Sequence, residues 1–310
     1  MNALAVIVVT WNSVHEIEAA LSSLLRDLES AALDARVIVV DNASADRTVD
    51  LVRGRFPSVE VLALSDNVGF ARANNIGMRH LGIGSGQASA DFVLLLNPDT
   101  IVQLGAVQAL MSAMQADPRV GVVGANLVFG DGSFQHGAYA FPGLRQLYAE
   151  FFWIPGRWRE GWFNGRYERR LYQGEQPFEV DFVLGACMLV RADVVAEVGG
   201  FDEAFFMYCE EVDWQWRIRR AGYTIQCVPT AHIVHLGGQS TSQVKARSVR
   251  NLWESRLRLY RKHYPAWKWH AARLLIGLGM RRLRAQWTRR GGADDVTAAY
   301  DHILRVIWAV

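Results

Sequence analysis

Four short, mostly apolar runs mark the first 125 positions: residues 4–9, 36–40, 59–64 and 92–96. Continuous apolar runs of that length suit strands buried on both faces rather than half-exposed ones. Between the first two, Ile17, Ala20, Leu21, Leu24, Leu25 and Leu28 recur at the spacing of one helix face. Strand, helix, strand, helix predicts an α/β fold with a mostly parallel sheet covered on both sides. Ligands of such sheets sit beyond the carboxyl ends of the strands.

Polar residues gather at those ends. Thr10-Trp11-Asn12 follows the first run and Asp41-Asn42-Ala43-Ser44 the second. Asp66-Asn67-Val68-Gly69 follows the third and Asn97-Pro98-Asp99 the fourth. Any one of these is ordinary turn chemistry. Four at the same edge of one sheet imply a shared crevice.

The pattern then lapses. Residues 128–178 have no clear period and are rich in Phe and Trp, among them Phe151, Phe152, Trp153, Trp158 and Trp162. A long irregular stretch within a compact chain is usually functional or mobile, and its aromatic residues suit a core plug, a sugar ring or lipid. Periodicity returns with a strand over residues 180–190, a helix begun at Arg191 and stopped at Gly199-Gly200, and a helix over residues 212–220 ending at Gly222. No internal repeat or low-complexity tract is present.

Composition narrows the class. With 310 residues, 51% hydrophobic and 21% charged, the chain is globular rather than disordered. Its three cysteines, Cys187, Cys209 and Cys227, form no CxxC pair, which points to a reducing compartment and to core thiols, not to disulfides or zinc. The N-terminal apolar run has no preceding Lys or Arg and no cleavage-like sequence behind it, so it reads as a strand and not a secretory signal. The longest apolar run near the C-terminus, residues 274–280, is far short of the ~20 residues needed to span a bilayer. A cytoplasmic location is expected.

The net charge of +2 conceals an asymmetry. Residues 245–290 hold 14 Lys/Arg and one acid, Glu254, leaving 19 basic and 30 acidic residues elsewhere. Trp253, Tyr260, Trp267, Trp269 and Trp287 lie among those cations. That mixture suits the inner face of a membrane bearing anionic lipid. No nucleic-acid motif accompanies it, so nucleic acid is not the expected partner; a solvated helix face is the plain alternative.

Several longer stretches are distinctive as an ordered set: VIVVTWN, VVDNASADRT, NVGFARANNIG, LLLNPDT, GACMLVRADVVAEVGGFDEAFFMYCEEVDWQWRIRRAGY and HIVHLGGQS. Together they resemble family 2 glycosyltransferases, most closely the rhamnosyltransferase-like branch, over about residues 4–240. The resemblance implies a GT-A fold, a Rossmann-like nucleotide-diphospho-sugar transferase architecture. It also implies inverting transfer of a sugar from a nucleotide-diphosphate donor, aided by a divalent cation, Mg²⁺ or Mn²⁺. It divides the chain into a GT-A domain, residues 1–240, and a basic helical C-terminal region, residues 241–310. Within the domain, the nucleotide-binding half is about 1–125 and the acceptor-binding half about 126–240.

The resemblance also assigns residues. Asp41, with Thr10 and Asn12 beside it, would bind the nucleobase or ribose; the alternative is that Asp41 caps the helix beginning near Asp46. Asn67 resembles the family's base-contacting position, Gly69 allows close backbone approach, and Asn74 would reach the ribose, with a buried structural role the alternative for Asn74 and Asn75. Asp99 is the expected ligand of the cation, since oxygen donors suit Mg²⁺ and Mn²⁺. Asn97 stands where the usual DxD pattern has its first aspartate. His235, rather than His232, matches the family's second metal ligand. Glu211 occupies the second acidic position of the family's ED pair and is the expected general base. Glu210 and Asp213 would orient neighbours, Asp213 by pairing with Arg217 at i,i+4, although carboxylates at a helix start also have a purely electrostatic explanation.

By branch resemblance the donor is dTDP-rhamnose, with UDP- and GDP-sugars as alternatives, and the acceptor is a glycan or a polyprenyl-diphosphate-linked sugar in surface polysaccharide assembly. Two other readings compete. A sugar-nucleotide nucleotidyltransferase expects a Gly-rich, Arg-containing loop after the first strand, which Thr10-Trp11-Asn12-Ser13 is not. A non-catalytic glycan-binding module of the same fold is opposed by the presence of Asp41, Asp99 and Glu211.

Overall fold

The computed structural model describes residues 3–84, 89–237 and 245–309. The four apolar runs form β1 (Leu4–Thr10), β2 (Ala35–Asp41), β3 (Glu60–Ala63) and β4 (Phe92–Leu96). They lie parallel in the order β3-β2-β1-β4. Between them run α1 (Ile17–Ser30), α2 (Thr48–Arg55) and α3 (Phe70–His80). β5 (Thr100–Val102), α4 (Ala106–Ala116) and β6 (Val120–Val128) follow.

The sheet continues from β4 through β11 (Cys187–Arg191), β6 and β12 (Thr224–His235) to β5. β11 is antiparallel to both of its neighbours, and β12 runs parallel to β6 and antiparallel to β5. Register is what builds the crevice. Thr10 pairs with Asp41 and Val8 with Leu96, so the three polar turns after β1, β2 and β4 emerge at one edge. Cys187 pairs with Leu96, which brings the residues preceding β11 to the same edge. His235 pairs with Thr100, which sets it beside Asp99.

Each sheet face buries its own cluster. Val6, Val8, Leu94 and Leu189 pack against Ile17, Leu21 and Leu24 of α1 and Leu110 and Met114 of α4. Ile7, Val93, Leu95 and Met188 pack with Ala71 and Met78 of α3 and with Trp214 and Ile218 of α8 (Glu210–Arg220). Alternate residues of one strand serve opposite faces, which is why these strands read as unbroken apolar runs.

The structure amends three expectations. The strand over residues 180–190 is two pieces, β10 (Phe182–Val183) and β11, separated by Leu184-Gly185-Ala186 at the crevice. Val183 N–H donates to Gln215 Oε1 and Gln215 Nε2 donates to Val183 O, so a side chain of α8 takes the place of a neighbouring strand there. The helix after Gly200 starts at Glu210, two residues earlier than the apolar pattern indicated. Residues 128–178 are not wholly irregular. They contain β7 (Phe134–Gln135), β8 (Ala138–Tyr139), α5 (Leu144–Phe151) and α6 (Gly156–Arg159), followed at their end by β9 (Phe178–Glu179) and, after β11, by α7 (Ala192–Val198).

The C-terminal region is three helices, α9 (Lys245–His263), α10 (Ala266–Arg289) and α11 (Asp294–Ala309). Trp253, Tyr260 and Trp269 are buried with Phe151, Phe182 and Phe205 in a third hydrophobic cluster. Those three aromatic residues are core and have no ring free for a membrane surface. All three cysteines are free and buried, as expected from their number and spacing. Among the described residues, no helix is long and apolar enough to cross a membrane.

Candidate active site

A cavity of about 340 Å³ opens at the shared strand edge. That volume lies in the range of small-molecule sites. Trp11, Asn42 and Asn67 line it from the donor half, Asn97 and Asp99 from the turn after β4, and Glu210, Glu211 and His235 from the other half.

The turn after β4 owes its shape to backbone bonds. Asn97 N–H donates to Ala186 O, and Thr100 Oγ1 donates to Asn97 O. Leu236 N–H donates to Asp99 O, which ties the end of β12 to this turn. His235 Nε2 then lies 3.5 Å from Asp99 Oδ1. Its Nδ1 is 3.2 Å from Gln135 Oε1. With the amide oxygen accepting, Nδ1 is the donor there, which leaves Nε2 facing Asp99. Asn97 Oδ1 is buried without a hydrogen-bond partner.

A divalent cation fits this donor set in a specific way. A carboxylate, an imidazole nitrogen and a neighbouring unpartnered amide oxygen are acceptable ligands for Mn²⁺. Among the described residues, no group of three or more His, Cys, Asp or Glu is gathered to hold a metal. An ion held by so few protein ligands takes the rest from substrate phosphates and water, as is usual for Mg²⁺ at phosphate sites.

The acid pair faces this turn. Tyr208 and Cys209 have φ of 69° and 64° immediately before α8, and that left-handed turn aims Glu210 and Glu211 at the cavity. It is held from two sides. Phe70 N–H donates to Phe206 O, and Ser255 Oγ of α9 donates to Met207 O. Gly69, with φ 87°, is explained here: a Cβ would lie 2.4 Å from Phe206 O, so the close approach is of the chain's own backbone. Burial pushes both glutamate carboxyls above the usual carboxylate range, and the charge of Glu211 pushes Glu210 further. One Oε2 atom on each is buried and unpartnered.

Asp213 is different. It is fully buried and does not line the cavity. Arg217 Nε, Lys262 Nζ and His263 Nε2 all reach its oxygens, at 3.0, 3.1 and 2.7 Å. Burial raises its pKa, but these bonds outweigh burial and hold it at about 2. The i,i+4 pair with Arg217 is present as the sequence spacing suggested.

Several residues expected to touch the donor lie behind the cavity wall. Asp41 is buried, accepting from Thr10 Oγ1 and from Ser44 N–H and Oγ. Asn12 takes a positive φ, and its Oδ1 accepts from Ala45 N–H. Thr10, Asn12 and Asp41 thus lock the two turns together; Asp41 does not cap α2, and Asp46 accepts from Thr48 N–H and Oγ1 just ahead of that helix. Asn74 is buried and donates to Phe70 O, and Asn75 bonds Phe201 and Glu203. For both, the structural alternative describes the observed geometry. The turn network presents other groups to the cavity: Trp11, Asn42, Phe70 and Tyr208 were given no role from the sequence. Asn42 was detectable in hindsight, since it adjoins Asp41 at a strand end; its Oδ1 accepts from Val68 N–H and its Nδ2 donates to Asn67.

The architecture is that of the GT-A glycosyltransferases. Solved structures share it: a mannosyltransferase from Pyrobaculum calidifontis in complex with GDP-Man and Mn²⁺ (TM-score 0.55, 18% identity, 95% of this chain and 77% of that one), and S. aureus TarS 1–349 (TM-score 0.52, 15% identity, 98% and 90%). Residues 5–199 match the model of Glycosyl transferase family 2, and the chain belongs to that family. It is 33% identical over 250 residues to the N-acetylglucosaminyl-diphospho-decaprenol L-rhamnosyltransferase of Mycobacterium tuberculosis, covering 78% of each chain. It is 26% identical over 170 residues to the rhamnosyltransferase WbbL of Escherichia coli, covering 54% of this chain and 60% of that one. The protein is a rhamnosyltransferase-like glycosyltransferase.

Proposed function

We propose that the protein transfers a sugar, with inversion, from a nucleoside-diphosphate donor to a lipid-linked glycan acceptor in surface polysaccharide assembly. The donor is dTDP-rhamnose, a choice supported by the names of its rhamnosyltransferase relatives. The acceptor is a sugar on a polyprenyl diphosphate, the substrate class in the name of the mycobacterial relative. Such an acceptor places the enzyme at the cytoplasmic face of a membrane, approached through its basic C-terminal region.

The observation that carries this reading is the gathering around one cavity of the adjacent pair Asp99 and His235 and of the carboxylate Glu211. Glu211 takes the proton from the acceptor hydroxyl as that oxygen attacks the anomeric carbon. A carboxyl with a raised pKa is a stronger base than a solvated one. Glu210, pushed higher still, stays protonated and can donate a hydrogen bond beside it. Trp11, Asn42 and Asn67 form the wall where the nucleoside lies. Asp99 and His235, with Asn97 beside them, would hold a divalent cation, which neutralises the charge gathering on the departing diphosphate.

A nucleotide-sugar panel tests the proposal. dTDP-rhamnose should raise the melting temperature and be slowly hydrolysed, both effects growing with Mn²⁺. Asp99→Ala should lose the Mn²⁺-dependent part while melting normally without ligand. If no nucleotide sugar shifts the wild-type melt with or without metal, or if the Asp99 variant keeps full metal dependence, the site is misassigned.

A further inference from the structure

Ion pairs offset three of the C-terminal cations. Arg256 pairs with Glu150, Lys262 with Asp202 and Asp213, and Arg284 with Asp301. What remains outside is organised. On α10, Trp267, Leu274, Leu278 and Arg281 recur at intervals of seven, four and three residues, which is a single helix face, and all four are exposed. Arg282 is exposed beside them.

The segment after α5 lies near the start of α10 and adds further exposed aromatic rings. α5 lies alongside α10, with Phe151 packed over Gly279 and the Lys268 ammonium near Gly143. Trp153 is 78% exposed and Trp162 70%. Arg145 sits over the Trp162 ring at 4.3 Å from its centroid. Burial, with Arg145 close by, lowers the pKa of Lys268, so cations crowd at this point. On the far side of α10, Trp308 of α11 is half exposed, with Arg273 over its ring.

We infer that the outer face of α5, α10 and α11, with the Trp153 and Trp162 segment, is a docking surface for an anionic lipid bilayer. Exposed Trp and Leu beside Arg and Lys combine apolar insertion with attraction to acidic headgroups. The surface draws on two segments far apart in sequence, so it is not the basic region alone. α9 joins it to the active site, because Ser255 holds Met207 three residues before Glu210. The inference deepens the reading of a lipid-linked acceptor and rests on it for its purpose, while its physical basis is this surface.

Co-sedimentation with phosphatidylcholine vesicles, with and without phosphatidylglycerol, tests it. Wild-type protein should bind the anionic vesicles at low salt and lose binding as salt rises. Arg281→Gln with Arg282→Gln should weaken partitioning roughly 30-fold, at about fivefold per surface cation. Trp153→Ser with Trp162→Ser should weaken it as well, which a purely C-terminal anchor does not predict. All variants should hydrolyse donor in solution at the wild-type rate, and Glu211→Gln should bind vesicles normally. The inference is overturned if wild-type protein ignores anionic vesicles, if the Trp153/Trp162 variant binds as well as wild type, or if the patch proves to be covered by a second copy of the chain. Binding to vesicles together with transfer only to soluble glycans would reject the lipid-linked acceptor and leave the docking surface standing.

Discussion

At the scale of single residues, position on the cavity wall separates acids that sequence alone cannot. Glu210, Glu211 and Asp213 fall within four positions, and all three have a helix-dipole explanation. Asp213 is bound by two cations and the His263 ring and does not line the cavity, so it has neither access to a substrate proton nor the basicity to take one. Glu211→Gln should therefore lower turnover ~10²–10⁴-fold with little change in donor affinity. Its raised pKa adds a pH signature. Wild-type rate should fall as pH drops through an inflection above the usual carboxylate range, because protonation removes the base, and the variant should lose that inflection. An unchanged pH profile in the variant would assign the base elsewhere. The motifs brought Asn67, Asn97, Asp99, Glu211 and His235 to notice, and these do meet in one cavity. Asp41, Thr10 and Asn12 were equally conspicuous, yet they bond Ser44, Ala45 and each other and do not line that cavity. A one-dimensional pattern shows that a polar group stands at a strand end; it does not show which way the group turns.

At the scale of elements, α8 is clamped from two sides at its start. Its start is aimed by the Tyr208-Cys209 turn, and its first turn is pinned to α9 through Asp213. The His263 ring stacks on Trp216, which stacks in turn on Phe141, so the clamp extends into the segment before α5. Asp213→Asn leaves the partly exposed Arg217 and Lys262 without their counter-charge, and solvent screening keeps the loss below the roughly 3–5 kcal/mol of a fully buried pair. The sign of the pH dependence follows from a depressed pKa. Asp213 stabilises the fold above its unfolded value of 3.8, and that contribution is lost as pH falls toward about 2. Denaturant titrations of wild type and Asp213→Asn should differ clearly at neutral pH and converge in acid. A gap that persists at pH near 2 would mean that the carboxylate charge is not what holds the clamp. Periodicity located α8 well but started it late, since the acids at its beginning carry no apolar signal and the preceding turn is set by contacts with Gly69 and Ser255.

At the scale of the whole molecule, the parallel half was readable because a strand buried on both faces must be apolar throughout. In the other half single elements such as α7 and α8 were readable but their assembly was not, because its sheet is completed by β11 and β5 running against their neighbours and its second core is an aromatic cluster assembled from residues 147–307. No local pattern records that Phe151, Phe182 and Phe205 wait for Trp253, Leu257 and Tyr260. Their meeting has a consequence for the basic C-terminal region. If the chain were ended at residue 240, Leu147, Phe151, Phe182, Phe205 and Val212 would lose their cover, Asp213 would lose Lys262 and His263, and Met207 O would lose Ser255. At about 2 kcal/mol for each large apolar side chain returned to water, the apolar loss alone is on the order of 10 kcal/mol, comparable with the total stability of a typical domain. The shortened protein should therefore show no cooperative melt, bind a hydrophobic dye and hydrolyse no donor, with the active-site turn failing along with the core. A truncated chain that melts cooperatively near the wild-type temperature and still turns over donor would show instead that the C-terminal helices rest on the catalytic fold without supporting it.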